Sequence, residues 1–271
     1  MVKDKLHILD NCFSQHDICS IAGMIPDKFE WVNGPNDDLT IFTDNYLHIS
    51  ENIKSKNKIA WIIESPAYHR FAYEYIKENY YKFNNIFTCS KSILDSVENA
   101  IFLPVGGCWV KEKDRYISEK IKIVSIISSF KKILEGHILR HEIIKTFKNI
   151  DVYGSGYNPI EDKGQGLKDY CFSIVVENTK EDYYFTEKLI DCFVTGTIPI
   201  YWGCPSISNF FDINGIICFN SLEDLNNILD NLTIELYNSK IKSVKNNFAL
   251  SKDYLVTDNT LYEKIKKMFF T

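Results

Sequence analysis

Short apolar runs rich in Ile, Val, Phe and Tyr alternate along the chain with stretches of helical period. They are KLHILD, DLTIFT, KIAWIIES, NNIFTCS and AIFLPVG in the first half, then KIVSIIS, IDVYG, CFSIVVEN, TIPIYWG and GIICFN. Continuous apolar runs are the mark of strands buried on both faces. Their alternation with helical segments predicts parallel sheets in an α/β architecture, in both halves. Between the fifth and sixth runs, CWVKEKDRYISEK loses its apolar pattern to charge, which predicts a domain junction near residues 110–120. From roughly residue 234 onward only helical spacing remains, as in IELYNSKIKSVKNNF and LYEKIKKMFF, and these segments read as surface helices closing the second domain.

Composition narrows the class. A chain of 271 residues is long for one doubly wound domain and comfortable for two, each with its own core. A formal charge of −5 argues against a broad nucleic-acid surface, so no nucleic-acid partner is expected. The eight cysteines, Cys12, Cys19, Cys89, Cys108, Cys171, Cys192, Cys204 and Cys218, include no C-x-x-C pair and mostly sit in apolar runs. They predict free thiols in a reducing compartment, hence the cytoplasm. The segment MVKDKLHILDNCF has no basic stretch followed by a long apolar core, and no run of about 18 apolar residues occurs, so neither secretion nor a membrane span is expected.

The chemistry concentrates in CFSIVVENTKEDYYFTEKLIDCFVTGTIPIYWGCPSISNFF. A buried strand ends in Glu177-Asn178, at the carboxyl edge where open α/β sheets bind ligands. A polar loop then leads to Thr186, a natural N-cap, which puts Glu187 and Lys188 in the first helical turn, where free N–H groups and the helix dipole favour an anion. A diphosphate fits there with Lys188 as its cation. The same triplet also suits an ordinary capped helix with a solvated lysine, and Tyr183 and Tyr184 also suit half-buried loop aromatics. Gly196 ends the helix, and Gly203-Cys204-Pro205 turns the chain after the next strand.

Taken together, F-x-x-x-x-E-N, then Y-x-T-E-K, then G-T-I-P-I-Y-W-G-x-P form an ordered pattern over about forty residues. It resembles the donor-binding signature of the α-1,3-fucosyltransferase family. The resemblance implies a GT-B fold, two Rossmann-like domains facing a cleft, with GDP-fucose held by the C-terminal one and no metal or other cofactor. It also implies that Tyr184, Glu187 and Lys188 contact donor sugar or diphosphate, while Glu177 and Asn178 line the same pocket. In that family a donor-binding arginine opens a helix upstream, and in GHILRHEIIKTF Arg140 fits, since a guanidinium grips a diphosphate through two parallel hydrogen bonds. On residue type alone Arg140 reads equally as a surface arginine. His137 and His141 flank it at a spacing that can pair on a metal, but no third ligand is present nearby, and helix capping or nucleotide contact is expected of them.

The implied domains are 1–115 for the acceptor, 116–252 for the donor, and 253–271 as a C-terminal helix that, in the family pattern, packs back on the first. Inverting transfer needs one carboxylate to take the proton of the attacking hydroxyl. In WIIESP, Glu64 stands just beyond a buried strand and is the candidate base, its plainer role being to cap the next helix. Asp37 and Asp38 are weaker alternatives, and PVGGCWV is a second candidate cleft segment or a simple turn. The expected function is transfer of L-fucose from GDP-fucose to a glycan hydroxyl. The alternatives are another nucleotide sugar on the same fold, or a catalytically silent sugar-nucleotide-binding protein.

Overall fold

The computed structural model describes residues 3–10 and 24–270; Cys12 and Cys19 lie outside them. The chain forms two units, the first running to Gly107 and resuming at Val256, the second Cys108–Leu255.

The first unit is built on β1 (Asp4–Leu9), β2 (Phe29–Asn33), β3 (Leu39–Thr43), β4 (Asn57–Ile62), β5 (Asn85–Thr88) and β6 (Ala100–Phe102), with helices α1 (Arg70–Asn79) and α2 (Lys91–Ser96) in its connections. All strands are parallel, in the order β2-β1-β3-β4-β5-β6. Residues Leu39 to Thr43 are all buried, as a central strand covered on both faces must be. The strand β2 is absent from the apolar runs of the sequence. FEWVN mixes polar with apolar positions because β2 is an edge strand with a single neighbour, and only Phe29 is fully buried.

Strand order reverses between β1 and β3, the switch point at which such sheets open a crevice beyond their carboxyl ends. Asp10, Asp44 and Glu64 follow β1, β3 and β4 at that edge. Asp37 and Asp38, by contrast, precede β3 and lie at the amino-terminal edge.

The second unit contains β7 (Lys122–Ile127), β8 (Asp151–Tyr153), β9 (Tyr170–Val176), β10 (Ile198–Trp202) and β11 (Ile217–Cys218), with α3 (Glu135–Thr146), α4 (Glu187–Val194), α5 (Leu222–Leu229), α6 (Ile234–Ser239) and α7 (Ile241–Ser251). Its parallel sheet runs β11-β10-β9-β7-β8, so the switch point lies between β7 and β9. Ile126, Phe172, Ile174, Ile198 and Ile200 are buried in its core, each such side chain contributing on the order of 1.5–3 kcal/mol. Two serines interrupt that apolar core at no loss of pairing: Ser125 Oγ donates to Gly166 O at 2.6 Å, Ser173 Oγ donates to Ser125 O at 3.3 Å, and the two hydroxyl oxygens lie 3.1 Å apart.

The last helix, α8 (Thr257–Phe269), clusters with the first unit and not with the second. Leu261, Tyr262 and Ile265 are buried, the Tyr262 ring stacks on Phe29 at 5.1 Å, and Trp31 Nε1 donates to Asp258 at 2.8 Å. Thr257 Oγ1 donates to Val105 O at 2.6 Å. By contrast, α6 and α7 do close the second unit, where Tyr237 and Val244 enter its core. Among the described residues, no helix is long and apolar enough to cross a membrane. The described cysteines are free thiols, buried except for Cys218.

Candidate functional site

The second unit's site is assembled at the carboxyl end of β9. The main chain of Glu177 stays in the sheet, its N–H donating to Trp202 O at 2.9 Å, while α3 arrives against the same backbone through Gly136 N–H to Asn178 O at 3.0 Å. A Cβ at position 136 would lie 1.7 Å from Glu177 O, so only glycine permits this approach. One turn into α3, Arg140 is buried. Its Nε and Nη2 donate to Val176 O at 3.1 and 2.9 Å, and Nη2 also to Asn178 Oδ1 at 2.9 Å. Burial lowers its pKa, the charges of Glu177 and Glu187 oppose that, and a guanidinium remains charged regardless.

The two histidines of α3 are engaged separately. His137 Nδ1 accepts the Leu134 N–H at 3.1 Å and so caps the helix start. That needs a neutral ring, and burial first, then Arg140, pushes its pKa down to about 4. His141 meets Tyr157 Oη at 2.7 Å through Nδ1 and Lys131 O at 3.1 Å through Nε2. Among the described residues, no group of three or more His, Cys, Asp or Glu is placed to hold a metal ion.

The N-terminus of α4 is fixed by Glu177. This carboxylate is completely buried, accepting the Thr186 N–H at 2.9 Å on Oε1 and the Thr186 hydroxyl at 2.7 Å on Oε2. Thr186 in turn caps the helix, its Oγ1 accepting from Lys188 N at 3.4 Å and from Lys188 Nζ at 3.0 Å. Lys188 Nζ also lies 3.2 Å from Glu187 Oε1 and 3.6 Å from Glu177 Oε2. Just upstream, Tyr183 holds a left-handed backbone (φ 67°), its N–H donating to Ser206 Oγ at 3.1 Å.

These elements surround a pocket of ≈ 350 Å³ bordered by Arg140, Glu187 and Lys188, by Ser128 and Ser129 after β7, and by Gly154 and Ser155 after β8. It therefore sits at the β7/β9 switch point. A roomier groove of ≈ 700 Å³ lies at the amino-terminal edge of the same sheet, bordered by Lys122, Phe147 and Asp151. No motif residue reaches it, and sheets of this type bind ligands at the other edge. Glu177, Asn178 and Tyr184 do not border the smaller pocket. Glu177 and Asn178 stand behind it, holding Thr186 and Arg140, and Tyr184 is 3% exposed.

Two further pocket residues were not read from the sequence. Lys163 Nζ lies 3.0 Å from Asp191 Oδ2 and 3.6 Å from Glu187 Oε1. Asp191 follows Glu187 by one helical turn inside the apolar LIDCFV stretch, and an acid on a buried helix face was the available signal; Lys163 offered none. Burial opposes the charge of Glu187, but Lys188 and Lys163 outweigh it and hold this carboxyl down at about 2. It is an ionised hydrogen-bond acceptor.

Glu64 belongs to the first unit. Asp44 fixes its backbone, accepting the Ile63 N–H at 3.0 Å and the Glu64 N–H at 3.4 Å, and Tyr73 Oη donates to Glu64 O at 2.8 Å. Burial raises the Asp44 pKa well above the usual carboxylate range, and the charges of Glu64 and Asp10 raise it further.

Residues 117–265 match the profile of glycosyltransferase family 10 (fucosyltransferase), C-term. The alpha-(1,3)-fucosyltransferase FucT of Helicobacter pylori is 36% identical over 75 residues, 28% of this chain and 16% of that protein, so the chain spans only a small part of that relative's length. A crystal structure of an alpha1,3-fucosyltransferase superposes with a TM-score of 0.57 at 17% identity, covering 92% of this chain and 90% of that one. A crystal structure of alpha1,3-fucosyltransferase with GDP-fucose gives 0.54 at 18%, covering 94% and 91%. The fold is thus GT-B, built from two Rossmann-like parallel-sheet domains. Since the matched stretch takes in more than half of the chain and all five strands of the second sheet, the chain belongs to glycosyltransferase family 10, the fucosyltransferases.

Proposed function

We propose that the chain is an inverting, metal-independent fucosyltransferase that moves L-fucose from GDP-fucose to a hydroxyl of a glycan acceptor. The carrying observation is the pocket at the β7/β9 switch point, where Arg140, Lys188 and the capped N-terminus of α4 converge on one cavity of ≈ 350 Å³. Of the cations that border it, we assign Arg140 and Lys188 to the diphosphate, while Lys163 stands 3.0 Å from the buried Asp191. The dipole of α4 adds partial positive charge at its start.

In the reaction the acceptor oxygen attacks the anomeric carbon in line, the bond from that carbon to the diphosphate breaks, and GDP leaves with the electron pair. Glu64 takes the hydroxyl proton. Arg140 and Lys188 stabilise the negative charge that grows on the leaving group, which is the work a divalent ion does in other transferases. Free thiols throughout the described chain support a reducing compartment, and we place the enzyme in the cytoplasm.

The test is turnover of GDP-fucose on an array of glycan acceptors, run in excess chelator beside GDP-mannose and UDP-galactose. Fucosyl transfer that survives chelation is the expected result. Tight donor binding without transfer or hydrolysis would point to a silent binding protein, transfer from another donor would replace fucose, and rescue by a divalent ion alone would remove the metal-free site.

A further inference from the structure

Glu187 and Asp191 are one turn apart on α4, a spacing at which like charges repel. Lys163 is inserted between them. It opens a 3-10 turn, Lys163–Gly166, whose start is locked by Asp162: Oδ1 accepts the Gly164 N–H at 2.6 Å and Oδ2 the Lys111 N–H at 3.0 Å. A Cβ at position 164 would crowd Asp162 Oδ1 at 2.7 Å and Asp114 Cβ at 3.0 Å, so this turn has little room to move. Asp191 is held from its other side, its Oδ1 accepting Trp109 N–H at 2.7 Å and Val110 N–H at 3.3 Å. Its side chain is 1% exposed, whereas that of Glu187 is 19% exposed and borders the pocket.

We propose that Lys163, anchored by Asp191, is a positioning residue of the donor site: it holds Glu187 in place as an acceptor for a hydroxyl of the sugar being transferred. This rests on the pocket being the donor site. A carboxylate so held accepts from hydroxyls, so it fixes the sugar beside the diphosphate that Arg140 and Lys188 take up. The groups that face Glu187 are Lys188 and Asp191 on its own helix, the Thr186 hydroxyl at the cap, Lys163 from the 3-10 turn and Arg140 from α3. Lys188 and Lys163 each bridge Glu187 to a second buried acid, Glu177 and Asp191 respectively, but Lys188 sits on the same helix as Glu187, whereas Lys163 comes from the 3-10 turn and so ties α4 to a separate element.

The experiment is calorimetry of GDP-fucose and of GDP on the wild type, Lys163→Met, Lys163→Arg, Glu187→Gln and the Lys163→Met/Glu187→Gln double variant. GDP-fucose binding to the wild type should be flat between about pH 5 and 8, because its carboxylate is ionised throughout. Lys163→Met should weaken GDP-fucose about tenfold at neutral pH and GDP by less than about threefold, with binding falling further below about pH 6. Lys163→Arg should restore the flat profile, and Lys163→Met should add nothing once Glu187→Gln is present. Equal loss of both ligands, an unchanged pH profile, or additive effects in the double variant would overturn the proposal. If Lys163→Met fails to fold, a carbon-13 titration of Glu187 in the wild type decides: ionisation persisting below about pH 4 supports it, and a midpoint near the ordinary glutamate value overturns it. Absence of GDP-fucose binding by the wild type would overturn the donor reading, while that titration still judges Lys163 separately.

Discussion

The two sheets share a chain order of strands and differ in what they carry at the switch point. In the second unit, the edge beyond β7 and β9 gathers Arg140, Lys163 and Lys188 around the start of α4. In the first, the edge beyond β1, β3 and β4 gathers Asp10, Asp44 and Glu64, where burial first, and then the charges of Glu64 and Asp10, drive Asp44 toward its neutral form. One strand order thus carries an edge rich in cations in the second unit and an edge rich in acids in the first. The cationic one suits an anionic leaving group, and the anionic one suits removal of a proton.

The sharpest way to break this comparison is at Glu64. A positioned base supplies typically ~10²–10⁴-fold, so Glu64→Gln should lower kcat within that range, and GDP-fucose affinity should stay within about twofold because the donor contacts are in the other unit. Parallel kinetics and calorimetry separate the two effects. A variant that turns over normally, or one that loses the donor, takes the base away from the first unit's acidic edge.

Next in size are the two cations of the proposed donor pocket, which the structure distinguishes. Lys188 Nζ is partly exposed and contacts only side chains of its own helix start and of Glu177. Lys188→Ala should therefore cost about 1.5–3 kcal/mol of donor binding with little change in melting temperature. Arg140 makes its hydrogen bonds to Val176 O and Asn178 Oδ1 while buried, so Arg140→Ala also strands two acceptors and should lower the melting temperature as well. Equal thermal stability of the two would show that Arg140 has no structural share.

The fully buried strands were plainly legible. Continuous apolar runs announced β9 and β10, whose residues are buried without exception, while the half-covered edge strand β2 gave no run to read. The last helix was legible as a helix, yet its packing partner depends on Trp31 and Phe29, more than two hundred residues away, which no local period encodes. The division of the chain falls at Gly106-Gly107, both with left-handed φ, rather than at the charged stretch beyond them. At the site, Thr186, Glu187 and Lys188 were visible because capping is a local pattern. The bridge from Lys163 to Asp191 spans separate elements, and so its geometry appears only after folding.

The smallest expected effect is the most specific check on the first unit's polarity. Asp37 and Asp38 have the same side chain as Asp10 and Asp44, but their backbone carbonyls start the β3–β4 pairing region, accepting Lys56 N–H at 2.7 Å and Asn57 N–H at 2.9 Å. Both are exposed at the amino-terminal edge of a parallel sheet, and β3 itself, Leu39 to Thr43, separates them from the edge that carries Asp44 and Glu64. At a typical rise of about 3.3 Å per residue, five strand residues put some 16 Å between those edges, too far for a side chain two bonds long to share one reacting proton. The Asp37→Asn/Asp38→Asn double variant should keep kcat and KM within about twofold, since surface substitutions of this kind perturb little and the backbone hydrogen bonds remain. Steady-state kinetics on the best acceptor from the array suffices. A loss comparable to that of Glu64→Gln would mean that proton removal does not happen at the carboxyl edge of the first sheet, and the contrast of charge between the two crevices would lose its catalytic meaning.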